Sequence, residues 1–170
     1  MALLRSIILA GVVLAAGGAS AHVAADPGAA VAGSYQAVRF RVGHGCTETA
    51  TTTALRIEVP DTVISAKVQP KPGWSHNVER DPTGRVTAVT WRGVLAPDQF
   101  DEFALFLRLP DKDGTLYFPA IQTCGQGEAR WNELPAADGA RRQHPAPALK
   151  LTPAATPGTP EKAPEAEHHH

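Results

Sequence analysis

Between Ser34 and Leu134 the chain is written largely in alternation, one apolar residue for each polar one. Val38, Phe40 and Val42 are interleaved with Arg39 and Arg41, and Leu55, Ile57 and Val59 with Arg56 and Glu58. Phe103, Leu105, Leu107 and Leu109 repeat the pattern. A period of two puts one face of each segment in a core and the other in water, which predicts strands. Further strands are predicted over Val63 to Val68, Trp74 to Glu79, Val86 to Trp91, Leu116 to Gln122 and Ala129 to Leu134. Pro60, Pro72-Gly73, Asp81-Pro82-Thr83-Gly84 and Pro110 mark turns between them. No stretch sustains a 3.6-residue period, although Pro97 to Phe100 could form one helical turn. About eight short strands with regular turn signals predict an all-β antiparallel sandwich or barrel.

The pattern breaks at both ends. Arg5 precedes an apolar run from Ile7 to Ala16, and small residues lead to Ala19-Ser20-Ala21. A charged start, an apolar run too short to span a bilayer and an A-x-A site together predict an export signal over residues 1–21. Cleavage there would make His22 the first residue of the exported protein. From Ala136 onward, prolines at 145, 147, 153, 157, 160 and 164 accompany few large apolar residues. This predicts a domain over 22–135 and a disordered tail over 136–170. The tail ends in His168-His169-His170, which reads either as a native metal-gathering tract or as a tag remnant.

Composition narrows the partners. The net charge is −1 with both signs interspersed, so no basic patch points to nucleic acid. No second apolar stretch reaches membrane-spanning length, so no membrane anchor is expected in the exported chain. With an export signal, Cys46 and Cys124 are expected to form a disulfide, worth about 4–5 kcal/mol on the chain-entropy model; a pair of thiolate metal ligands is the alternative.

A terminal histidine has its own chemistry. Its α-amine and Nδ1 can close one chelate ring on a metal. Two fixed nitrogens suit Cu(II), which heads the divalent affinity order and prefers tetragonal nitrogen and oxygen donors. The only methionine is Met1, within the signal, so the thioether donors that favour Cu(I) are missing from the exported chain. His44, tied to Cys46 through Gly45, could be a second ligand or a surface histidine. His76 lies on a predicted strand beside Trp74, and His144 at the start of the tail is poorly placed for a rigid ligand. Glu48 and Glu128 each follow a cysteine closely, so a disulfide would bring their segments together; either could give an oxygen ligand or be a solvated loop carboxylate. Trp131 could wall a metal site or fill the core, and Tyr35 is a second aromatic near the N-terminal strand. No nucleophile elbow, phosphate loop or paired-histidine protease motif is present.

These residues fall into a recognisable order. The chain resembles the YcnI-like family of exported copper-binding domains, from His22 to about Leu134. The likeness rests on the signal ending directly before His22-Val23, on Gly33-Ser34-Tyr35 and on Val42-Gly43-His44-Gly45-Cys46. Pro72-Gly73-Trp74, Val89-Thr90-Trp91 and Gln122-Thr123-Cys124 through Gly127-Glu128 to Arg130-Trp131 complete it. The resemblance implies a cupredoxin-like or immunoglobulin-like sandwich holding one Cu(II) outside the cytoplasmic membrane. It assigns His22 to a brace with a single histidine, Trp131 to the neighbouring tryptophan, and the acid to Glu48, with Glu128 second. Some relatives end in a membrane helix where this chain has its proline-rich tail. The implied role is copper trafficking or homeostasis, with a copper-transport protein as partner. The alternatives are a copper-dependent oxidative enzyme, which would need His44 or His76 as a second histidine, and a metal-free structural or adhesion module.

Overall fold

The computed structural model describes residues 22–47, 49–125 and 127–154. The segment 1–21 expected to be an export signal, Glu48 and the three terminal histidines lie outside them. The described residues form strands and turns without a helix: β1 (Ala24–Asp26), β2 (Ala29–Val31), β3 (Tyr35–Val42), β4 (Thr52–Glu58), β5 (Ser65–Val68) and β6 (Ser75–Arg80), followed by β7 (Val86–Leu95), β8 (Asp101–Arg108), β9 (Gly114–Tyr117), β10 (Ala120–Cys124), β11 (Gly127–Trp131) and β12 (Ala148–Thr152). The segment Pro97 to Phe100 makes only a turn, closed by the Gln99 amide on the Ala96 carbonyl at 3.1 Å.

Two sheets form an immunoglobulin-like sandwich, ordered β1-β3-β8-β5 and β11-β10-β4-β7-β6, and every pair within them is antiparallel. The alternating apolar residues line the space between them. Val38, Phe40, Leu55, Ile57, Leu105 and Leu107 are all fully buried, and Trp91 and Phe103 join them with ring centroids 5.5 Å apart. This burial is the main stabilising term, at roughly 1.5–3 kcal/mol for each large side chain.

The ends of the domain depart from expectation. The N-terminal segment turns at the cis Asp26-Pro27 bond and changes sheets: β1 pairs with β3, whereas β2 pairs in parallel with β12. β12 also pairs with β9, giving a third, three-stranded sheet ordered β2-β12-β9. The boundary at residue 135 is therefore corrected: the chain remains part of the fold through β12, where Leu149 and Leu151 are buried and Lys150 is exposed. Three or four apolar residues entering the core outweigh a proline-rich composition around them. Leu116 to Gln122 is also split, into β9 and β10, at Pro119, which has no amide hydrogen for a ladder.

Cys46 and Cys124 are joined, with Cα atoms 6.0 Å apart and a sequence separation of 78. The bridge anchors the loop after β3 to the end of β10. The Cys46 amide reaches Cys124 Sγ at 3.0 Å, and the buried Gln122 Nε2 donates to the His44 carbonyl at 2.7 Å and to Thr52 Oγ1 at 2.8 Å. Gly45 is required in this loop, because a Cβ there would sit 1.7 Å from the Ala50 carbonyl oxygen.

The β6–β7 turn yields a pH test. Asp81 Oδ1 accepts from the Thr83 hydroxyl (2.6 Å) and from the amides of Thr83 (2.9 Å) and Arg85 (3.1 Å). The Thr83 hydroxyl bond foremost, helped by those amides and the Arg85 charge, holds the carboxyl below its ordinary value of 3.8 against the opposing effect of desolvation. A depressed carboxyl stabilises the fold above its unfolded value and loses that contribution as pH falls through the folded value. Asp81→Ala should therefore lower the urea midpoint at neutral pH, and the gap to wild type should close in acid below the ordinary carboxyl range. A gap that stays constant with pH would contradict this role.

Candidate functional site

His22 enters the sandwich at its edge, directly before the buried Val23. The β1–β3 register pairs Ala24 with Arg41. Continued backward, it sets His22 opposite Gly43, at the start of the disulfide-anchored loop. On the other side, the His22 ring lies 5.5 Å from the Trp131 ring, tilted by 42°. Trp131 ends β11 opposite Ala120 and is only 5% exposed. Its Nε1 is buried and has no hydrogen-bond acceptor among the described residues. Trp91 Nε1, in the core, shares this lack of an acceptor; Trp131 differs in that its ring also meets His22 at the edge of the sandwich.

A third ring completes the cluster. His144 stands edge-on to Trp131 at 5.0 Å, so the indole packs with both imidazoles. His144 is exposed, but its backbone is fixed at both polar groups. Its N–H donates to Glu133 Oε2 at 2.7 Å, and its carbonyl accepts the Glu133 amide at 3.0 Å. The Ala146 amide returns to the Glu133 carbonyl at 3.0 Å. These bonds fold residues 134–143 into a loop that carries His144 back onto the end of β11. Beside His22 the loop encloses a cleft of about 380 Å³ whose lining includes Glu133, Arg141, Arg142 and Pro145.

The other sequence candidates are placed differently. Glu128 is on β11 with Trp131, but three residues away, and an odd separation on a strand reverses the face. Its side chain is therefore outside the sandwich, where it accepts from Arg130 Nε at 2.7 Å, and it does not converge with His22. The outer face there also carries the Arg56–Glu79 pair, whose hydrogen bond lowers the Glu79 carboxyl. His44 follows Gly43, the residue opposite His22 in the continued register, but its Nδ1 is engaged with the Gly45 carbonyl. His76 is exposed on β6, the far edge of the sheet from β11. Four strand spacings, about 19 Å, separate those edges. Tyr35, 63% exposed, stacks on Phe106 at 5.6 Å on the outer face of the opposite sheet. Among the described residues, no three His, Cys, Asp or Glu side chains are grouped to hold a metal. Glu48 is not among them.

A family profile described as a domain of unknown function, DUF1775, matches residues 22–151. The chain belongs to the DUF1775 family. The DUF1775 match begins at His22 and ends in β12, so it spans the cluster of His22, Trp131 and His144 and the third sheet. Among solved structures, a protein from Nocardia farcinica described as uncharacterized and as having an immunoglobulin-like fold is similar to this chain, with a TM-score of 0.69. The two are 41% identical over 78% of this chain and 99% of the other. No curated protein matches the chain.

Glu133 is a site residue that sequence reasoning passed over, and the expectation that His144 is poorly placed is corrected, since hydrogen bonds to Glu133 fix its backbone beside Trp131. The only local signal for them is Pro145, which pairs with Glu133 in an isolated bridge. Nothing in the spacing of residues 131 and 144 announces that they meet.

Proposed function

We propose that this DUF1775 protein is exported, loses residues 1–21 and carries one Cu(II) ion on His22. The observation that carries the reading is the contact between His22, the first residue of the family match, and the buried Trp131. In the processed protein the His22 amine and Nδ1 supply two nitrogens from one residue. A tetragonal Cu(II) favours four such positions. A carboxylate oxygen is the natural third donor because it offsets the charge of the ion. The YcnI-like resemblance assigns that role to Glu48, and Glu133 lines the cleft beside His22. Trp131 walls one side of the ion and keeps it from open water. The Cys46–Cys124 bridge fits an oxidising destination. Copper is cargo in this account, and the protein performs trafficking or homeostasis with a copper-transport partner, without catalysis of its own.

Ligand nitrogens must lose their protons to bind, so Cu(II) affinity should fall as the pH is lowered. The test uses the intrinsic fluorescence. Cu(II) quenches indoles at short range, and of the three tryptophans only Trp131 touches His22. One equivalent of Cu(II) should quench the processed protein, and Trp131→Phe should remove most of that quenching. Its affinity should fall by no more than the roughly 10–100-fold of a lost outer-shell partner, since the indole lies outside the donor set. Equal quenching in the variant would place the ion elsewhere.

A further inference from the structure

The cleft beside His22 has an unusual balance of charge. Its walls include Pro135, Pro145 and Ala146, all apolar, and two arginines, Arg141 and Arg142. Among the described residues neither guanidinium forms a salt bridge; Arg142 Nε donates to the Leu134 carbonyl at 2.9 Å. The cleft's one carboxylate, Glu133, already spends Oε2 on the His144 amide. Two cations against one carboxylate leave the cleft positive in a protein whose net charge is −1. Elsewhere on the surface most arginines are matched: Arg39 and Arg41 by Glu102, Arg56 by Glu79, Arg85 by Asp81, Arg108 by Asp111 and Arg130 by Glu128, whereas Arg80 and Arg92 form no salt bridge among the described residues. Arg141 and Arg142 are two more without a carboxylate, and they adjoin the site proposed for the metal.

We propose that this cleft is a subsite for an organic carboxylate, with the anionic head on Arg141 and Arg142 and the hydrocarbon body against Pro135, Pro145 and Ala146. Guanidinium forks recognise both carboxylates and phosphates. The apolar walls favour the former, because a bare phosphate gains nothing from them and loses water to them. The inference rests on the copper reading in one respect only. A brace and one protein carboxylate leave a tetragonal Cu(II) with a position to fill, and a carboxylate held beside His22 is suited to supply it. The site would then receive or release copper together with a small organic acid.

The test separates the subsite from the metal. Benzoate is titrated into the copper-free chain beginning at His22 and followed by calorimetry, with inorganic phosphate in a parallel arm. The same titrations are run on an Arg141→Gln/Arg142→Gln variant, whose exposed positions should leave the fold and melting temperature unchanged. The subsite requires saturable benzoate binding, tighter than phosphate, that weakens by about tenfold or more in the variant, as loss of charge-assisted hydrogen bonds implies. No saturable binding, tighter binding of phosphate, or equal affinity in the variant would overturn it. Benzoate is then added to the copper-loaded protein, where a change in the Cu(II) resonance supports contact with the ion and an unchanged spectrum overturns that contact. Arginine-dependent benzoate binding in a protein that fails to take up Cu(II) would sink the copper reading and leave the subsite standing.

Discussion

Acetylation of the His22 amine is expected to weaken Cu(II) binding by about a hundredfold or more, beyond the 10–100-fold typical of a lost outer-shell partner. The fold should not change. The acetyl group turns the His22 amine into an amide and brings no new amine, which removes one nitrogen and opens the chelate ring. The imidazole stays where it is, 5.5 Å from Trp131, because its position is set by β1 and the buried Val23. Lost affinity is therefore assigned to the amine and not to a displaced histidine. Competition against a chelator of known strength would measure it, and a matched melting temperature would confirm that the acetyl group is silent structurally. His22→Ala keeps an α-amine but loses the imidazole nitrogen and with it the chelate ring, so it should bind about as weakly as the acetylated form. If the acetylated protein binds as tightly as the processed one, copper uses other groups, such as His44 or the terminal histidines.

Removing the disulfide should have the largest effect on stability. Cys46→Ala/Cys124→Ala releases a loop of 78 residues, and the chain-entropy model gives a loss of about 4–5 kcal/mol. That is a large part of the 5–15 kcal/mol that holds a typical domain folded. The urea midpoint should fall accordingly, and reduction of the wild type should reproduce the shift. The consequences should reach the site. The bridge fixes the loop that carries His44, and Gln122 holds that loop by its carbonyl. A variant that remains folded at low denaturant should therefore bind Cu(II) with altered affinity. A stability change under about 1 kcal/mol would mean that the denatured chain is already restrained or that the bridge strains the fold.

The sandwich itself was legible because burial follows alternation. Val38, Phe40 and Val42 face the core and Arg39 and Arg41 do not, as a period of two demands. β1 and β2 were not legible: three residues each, largely alanine, are too short to show a period. β12 does alternate, with Leu149 and Leu151 inside and Lys150 outside. The prolines flanking it disguised it, and its partners β2 and β9 are remote in sequence. At the site, His22 and Trp131 could be paired from the export signal and the resemblance. Glu128 could have been set aside by counting, since three residues separate it from Trp131 along one strand. Glu133, Arg141 and His144 could not have been found this way. They reach the site through a loop closed by hydrogen bonds between Glu133, His144 and Ala146, and such closure leaves no periodic trace.

The central claim is that one Cu(II) sits on the amine and imidazole of His22. Electron paramagnetic resonance of the chain beginning at His22, loaded with one equivalent of Cu(II), tests it most directly when repeated with His22→Ala. The account expects a single tetragonal spectrum with nitrogen coupling in the first protein, replaced by weakly bound or aqueous copper in the second. The same nitrogen-coupled spectrum in both would contradict it.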